Sequence, residues 1–244
     1  MRLLLWEGVA LASRFYRAFG HLEERGPADG PPLMVVPGFL ATDRTTLGLQ
    51  RALAEAGYRV AGWGMGWNRG VREDTLERLA ARIEAFGRGR PVVLVGWSLG
   101  GIYAREAAKL RPELVAKVVT LGAPFSGDPR NNNVWRLYEA VAGHPVDQPP
   151  VQVRTEVKPP VPTLALWSRR DGIVAPSAAR GRDHERDKAV EVDTYHSGFA
   201  VHRPVLSQVV NEIRTFLTEA EGPPPELRPM TARAAKGAKV VRTA

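Results

Sequence analysis

At 244 residues, 44% hydrophobic and 25% charged, the chain can build one large α/β domain around a substantial core. It contains no cysteine, which excludes disulfides, thiolate metal sites and a cysteine nucleophile. The formal charge of +8 gathers at one end: Arg228, Arg233, Lys236, Lys239 and Arg242 follow the last acidic residue, Glu226, and without these five the rest carries only +3.

No stretch approaches the ~20 apolar residues that a transmembrane helix needs. The N-terminus, "MRLLLWEGVALASRF", superficially resembles a secretory signal, with one Arg, an apolar run and Ala10-Leu11-Ala12. Glu7 interrupts that run, and Phe15, Tyr16 and Phe19 carry the pattern past the would-be cleavage site. Residues 1–29 therefore read as an amphipathic helix and linker that packs on the domain or touches a membrane surface.

The turn-rich "RGPADGPP" leads into "LMVVPGF", an apolar run closed by Pro-Gly that reads as a buried strand. "TTLGLQRALAEAG" places Leu49, Leu53 and Ala56 at helical spacing and stops at Gly57. "YRVAGWGMG" is the second strand. "REDTLERLAARIEAFG" is a helix through Leu76, Leu79, Ile83 and Phe86, with Gly87 as its expected stop. The strand "PVVLVGWS", the helix "GGIYAREAAKLRPEL" and the strand "VAKVVTLGAP" follow.

Residues 126–160, rich in Pro, Asn and Gly, break this rhythm. Beyond them lie the strands "VPTLALWS" and "AVEVDTY" and the closing helix "RPVLSQVVNEIRTFLTEA", with Pro204 near its start. Six strands alternating with helices predict one α/β domain over 30–221, with a mostly parallel sheet covered on both faces. Residues 222–244 have no apolar period and read as a disordered basic tail, either solvated or in contact with acidic lipid or nucleic acid.

"GWSLG" at 96–100 carries the first chemical signal. Chance order at this composition yields Gly-x-Ser-x-Gly about 0.07 times per chain, so the motif needs partners before it means anything. A serine hydroxyl is a weak nucleophile at neutral pH and requires a base, a group orienting that base, and N–H donors for the oxyanion. A strand turning sharply into a helix raises Ser98 above the sheet, and the turn tolerates only small neighbours, here Gly96 and Gly100. The N-terminus of the helix brings the Leu99 N–H and a favourable dipole toward the oxyanion.

In this arrangement an acid and then a histidine follow at the ends of later strands. Asp171, which opens the turn "DGIV" after "VPTLALWSRR", is the best-placed acid; the alternative is a turn aspartate bonding its own backbone. His196 follows "VEVDTY" directly, whereas His202 lies near the start of the final helix, as a cap, a surface residue or the alternative base. Phe39, after "VVPG", is the expected second oxyanion donor or else a core residue.

The segments "VVPGFL", "YRVAGWGMGWNRG", "GWSLGGIYARE", "VTLGAPF", "SRRDGIV" and "YHSGF" together resemble the α/β-hydrolase superfamily, and within it compact bacterial lipase and esterase-like proteins, over roughly residues 30–218. The resemblance implies the single-domain α/β-hydrolase fold, with Ser98, Asp171 and His196 as a triad and Phe39 and Leu99 as oxyanion donors. Similar proteins carry a histidine followed by a small residue and Gly at this place, which favours His196 over His202. The thirty residues before "LMVVPGF" leave no room for the two extra strands of larger relatives.

Trp67, Trp97, Trp135 and Tyr138 are expected to bind substrate. Trp67 and Asn68 would shape the mouth of the site or simply pack. The 126–160 insert, with Trp135, Leu137 and Tyr138, would form a short helical cap over the pocket or a surface loop packing its own aromatics. The expected activity is serine-dependent hydrolysis of a carboxylic ester through a covalent acyl-enzyme, with an acyl or lipid-like small-molecule substrate. A thioesterase, an acyltransferase or a non-catalytic lipid-binding or interaction protein on the same fold are the alternatives. No cofactor, no metal and no nucleic-acid partner are expected. A cytoplasmic location is expected, with the N-terminal helix or the tail offering peripheral membrane contact.

Overall fold

The computed structural model describes residues 24–151 and 153–219. The expected N-terminal helix, up to residue 23, and the basic tail lie outside the described residues.

Six strands form one sheet: β1 (Pro32–Val36), β2 (Arg59–Gly62), β3 (Val92–Trp97), β4 (Val115–Leu121), β5 (Thr163–Trp167) and β6 (Lys188–Glu191). Their spatial order is β2-β1-β3-β4-β5-β6 and every neighbouring pair is parallel. The helices are α1 (Leu47–Glu55), α2 (Thr75–Gly87), α3 (Leu99–Leu110), α4 (Trp135–Ala142), α5 (Pro176–Arg180), α6 (Gly198–Val201) and α7 (Arg203–Thr218).

The central strands are apolar at consecutive positions because both faces are covered. Leu33, Val35, Val93, Val95 and Trp97 point to one face, where Leu49 and Leu53 of α1 and Leu206, Val209, Ile213 and Phe216 of α7 pack on them. Met34, Val36, Val92 and Leu94 point to the other, under Leu79, Ile83 and Phe86 of α2 and Tyr103, Ala104 and Ala107 of α3. One expected helix stop moves by a residue. The left-handed position after α2 belongs to Arg88, at φ 53°, and not to Gly87. Gly87 instead lies against Val92, whose methyl would be 3.2 Å from any Cβ placed there.

The order of the strands decides where chemistry can happen. From β1 the chain moves outward to β2, then returns to place β3 on the opposite side of β1. The loops after β1 and β3 therefore diverge and leave a crevice at the carboxyl ends of the strands, the usual ligand position in open α/β sheets.

Asp43, in the loop after β1, ties this edge together. Its carboxylate accepts the Trp63 and Gly64 N–H groups at 2.8 and 2.9 Å, just beyond β2. Burial outweighs those bonds and the nearby Arg82, and pushes the carboxyl up from 3.8 to about 6. A carboxyl that holds its proton more tightly when folded contributes most below its unfolded pKa, and that contribution is lost as pH rises through about 6. Urea unfolding of wild type and Asp43→Asn from pH 5 to 8 should show the wild type losing stability relative to the variant between pH 5 and 7. Parallel profiles would mean that Asp43 titrates like an ordinary carboxylate.

Candidate active site

Ser98 occupies the single residue between β3 and α3, at φ 54° and ψ −124°. A non-glycine residue there stores about 1–3 kcal/mol of backbone strain, which the surroundings must hold. They do so from both sides: the Ser98 N–H donates to the Leu121 carbonyl at 2.9 Å, and the Ser98 carbonyl accepts from the Gly101 N–H at 2.9 Å. The small residues of the motif have steric causes. A Cβ on Gly96 would lie 2.4 Å from the Gly100 carbonyl oxygen, and one on Gly100 would lie 2.2 Å from that of Val36. The first turn of α3 thus rests directly on the ends of β3 and β1.

Asp171 sits in the turn after β5, with its side chain fully buried. Its Oδ1 accepts the Ile173 and Val174 N–H groups at 2.8 and 2.9 Å, while its Oδ2 lies 2.7 Å from His196 Nδ1. Asp171 thus bonds its own turn through one oxygen and His196 through the other. His196 follows β6 and is itself nearly buried. Its backbone carbonyl accepts the Trp97 Nε1–H at 3.0 Å, so the residue before Ser98 anchors the loop that carries the histidine. Ser168 adds a second anchor, its Oγ donating to the Thr194 carbonyl at 2.6 Å.

Gly122, immediately after β4, sets the level of the pair. A Cβ there would lie 3.0 Å from Asp171 Oδ2 and 3.2 Å from His196 Nδ1. Leu121, paired with Trp97 across β3 and β4, accepts the Ser98 N–H, so the acid–histidine pair stands over the strand adjoining Ser98. His202 is not brought to this place. It is the exposed N-cap residue of α7, makes no side-chain capping bond, and lies beyond α6 from His196.

Phe39 and Leu99 flank Ser98. A Cβ on Gly38 would be 3.1 Å from the Ser98 Cβ, so the loop after β1 passes against the serine itself. Among the described residues, neither the Phe39 N–H nor the Leu99 N–H has a hydrogen-bond acceptor.

A cavity of about 240 Å³ opens from Ser98 along α3. Leu99, Ile102, Tyr103 and Glu106 line one wall, because residues three and four apart share a helix face. Phe39, Trp135 and Tyr138 line another part, with the Phe39 and Tyr138 rings 5.2 Å apart. Residues 127–156 of the insert contribute much of the remaining wall. Burial raises the carboxyl pKa of Glu106, which is paired with Lys109. Asp147 and Glu156 also line the cavity, and no basic side chain does among the described residues.

Three of the expected pocket residues face elsewhere. Trp97 is 2% exposed and packs with Val93 and Val95 in the core, because side chains alternate along β3 and its own points away from the cavity. Trp67 lies on the surface beside Trp63, Met65 and Arg72, around a separate depression. Leu137 is 50% exposed on the outer face of α4, whereas Trp135 and Tyr138 on its inner face reach the cavity. Sequence reasoning missed Gly122, Ser168 and Glu106. All three lie in segments that carry the family resemblance, Gly122 in "VTLGAPF", Ser168 at the start of "SRRDGIV" and Glu106 at the end of "GWSLGGIYARE", but nothing local in those segments gives their contacts.

Among the described residues no group of three His, Asp or Glu side chains is arranged to hold a metal ion, and no helix is long and apolar enough to cross a membrane.

A family model described as "Alpha/beta hydrolase family" matches residues 11–242. Solved structures agree in fold at low identity. A lipase-esterase related protein from Clostridium acetobutylicum is 16% identical, with a TM-score of 0.60 over 82% of this chain and 100% of that one. Carboxylesterase CesB from Bacillus subtilis is 14% identical, with a TM-score of 0.57 over 90% and 98%. A thioesterase domain from the curacin biosynthetic pathway is 14% identical, with a TM-score of 0.54 over 79% and 100%. No curated protein sequence matches the chain.

Proposed function

The chain belongs to the alpha/beta hydrolase family, and on that premise we propose that it hydrolyses carboxylic esters of medium-length apolar chains through a covalent Ser98 acyl-enzyme. The observation that carries this reading is the Asp171–His196 pair, bonded at 2.7 Å and standing over the strand beside the strained Ser98 turn.

Ser98 Oγ attacks the ester carbonyl carbon as His196 Nε2 takes its proton, and the carbonyl π electrons move onto oxygen. Asp171 holds Nδ1–H and steadies the imidazolium. The oxyanion faces the Leu99 and Phe39 N–H groups. Collapse breaks the C–O bond, and His196 returns its proton to the departing alcohol. Water then repeats the sequence on the acyl-enzyme, losing a proton to His196 and releasing the acid as Ser98 recovers its hydrogen. These steps need no cofactor.

The cavity supports the choice of chain. From Leu99 to Glu106 the α3 wall runs roughly 10 Å, enough for an extended chain of about eight C–C bonds that each advance it by about 1.25 Å. The apolar part lies nearest Ser98, and the carboxylates of Glu106, Asp147 and Glu156 lie farther along. A neutral medium chain fits that order of surfaces, while an anionic chain end would meet Glu156 and two carboxylates already paired with Lys109 and Arg130.

The test is a chain-length series of chromogenic esters, run beside acyl-CoA thioesters, on wild type and Trp135→Ala. The indole should bury on the order of 100 Å² against a medium chain, so its loss should lower kcat/KM about tenfold or more for an eight-carbon ester. Acetate should be nearly unaffected. An eight-carbon ester ending in a carboxylate should be turned over about tenfold or more less efficiently than its neutral counterpart. Equal losses on acetate and on the longer ester would reject the roof, and faster thioester turnover would move the activity to thioesters. Failure of a fluorophosphonate to label Ser98 would remove the enzyme reading altogether.

A further inference from the structure

Asn68 lies at the end of "GWGMGWN" and is completely buried. Nδ2 donates to the Pro37 carbonyl at 2.8 Å, its N–H donates to the Ala41 carbonyl at 2.9 Å, and its carbonyl accepts the Leu40 N–H at 2.7 Å. These three bonds land on residues 37, 40 and 41, on both sides of Gly38-Phe39. Oδ1 accepts from the Gly70 N–H and from the Tyr103 hydroxyl, each at 3.3 Å.

Two features of this pattern exceed what packing asks of an asparagine. Leu40 has a φ of 54°, a strained value for a branched-chain residue, and the bond from its N–H to Asn68 holds it there. Tyr103 belongs to α3, the helix whose first residue is Leu99. The amide nitrogen of Asn68 therefore fastens the loop bearing the Phe39 N–H, and its amide oxygen is tied to the helix bearing the Leu99 N–H. One planar amide spans the supports of both donors.

We propose that Asn68 is a positioning residue that sets the separation and aim of the Phe39 and Leu99 N–H groups, and so the strength of the oxyanion site. The proposal rests on the ester-hydrolysis reading of that site. A donor displaced from the oxyanion by a fraction of an ångström leaves ground-state binding intact but weakens the bond formed as charge develops.

Asn68→Asp keeps the size and removes the donor to Pro37. Turnover of the eight-carbon ester, compared at a temperature where both proteins are folded by near-ultraviolet circular dichroism, should fall about 100-fold in kcat, with KM changed less than about threefold. A trifluoromethyl ketone of the same chain, whose adduct places an oxyanion at the site, should bind weaker by a similar factor. The corresponding secondary alcohol, which forms no adduct, should bind as it does to wild type. A merely structural residue would shift both ligands alike or neither.

Should Asn68→Asp fail to fold, Tyr103→Phe removes only the hydroxyl that bonds Oδ1. It should weaken the ketone about fivefold more than the alcohol. An unchanged ketone-to-alcohol ratio in the folded variant overturns the proposal. A wild type without esterase turnover would overturn the ester reading and this inference with it. An active wild type matched by its Asn68→Asp variant would overturn the inference alone.

Discussion

Ser98→Ala is expected to reduce ester hydrolysis by about four orders of magnitude or more, because the proposed acyl-enzyme route runs through its hydroxyl. The fold should persist. Alanine keeps a Cβ in the same strained turn, and the two bonds that hold the turn come from the backbone N–H and carbonyl of residue 98. Stability should therefore change by less than ~1 kcal/mol. Initial rates on a chromogenic ester and a urea midpoint check both halves of the expectation. A variant with a tenth of wild-type activity would remove Ser98 from the mechanism.

The second large effect separates two histidines only six positions apart. His196→Ala should lose about 10³–10⁴ in kcat/KM, since on the proposed mechanism it removes the base and leaves Asp171 with nothing to orient. Asp171 would remain buried but not orphaned, because Oδ1 keeps the Ile173 and Val174 N–H groups. The stability cost should stay near 1–3 kcal/mol. His202→Ala should keep activity within about twofold, because that side chain is exposed at the start of α7. The reverse result, with His202→Ala inactive and His196→Ala active, would move the base to His202, at the other end of α6.

Most of the architecture was legible because the signals are local. Leu76, Leu79, Ile83 and Phe86 share one helical face, and all four are buried in α2. The apolar runs at 32–36 and 92–97 become central strands for the same reason that made them visible: a strand covered on both faces needs no polar alternation. Ser98 announced itself through glycines within two positions of it, and the structure has each of them in contact that a side chain would forbid. The Arg88 stop was less legible. A glycine beside it looked like the natural left-handed residue, but Gly87 was needed for packing against Val92.

The pocket residues were harder, because chemical type says nothing about direction. Trp97 is adjacent to Ser98 in the chain, yet the pleat sends its ring to the opposite face, where its N–H meets a carbonyl 99 residues away. Leu137 and Tyr138 are neighbours on α4, yet one turns to solvent and the other to the cavity. Asn68 read equally well as a mouth residue or as packing. Its bonds to Pro37, Leu40 and Ala41 exist only because β1 and β2 are neighbours in the sheet.

The sequence by itself determined the six-stranded α/β pattern, the strained serine turn and the order of candidate acid and histidine, since each is written in residues close together along the chain. Only the tertiary structure decided which histidine meets Asp171, which aromatic rings face the cavity, and what Asn68 and Gly122 touch. Those outcomes depend on strand order and on the parity of each pleat. They join residues 25 to 99 positions apart, and no local pattern encodes that distance.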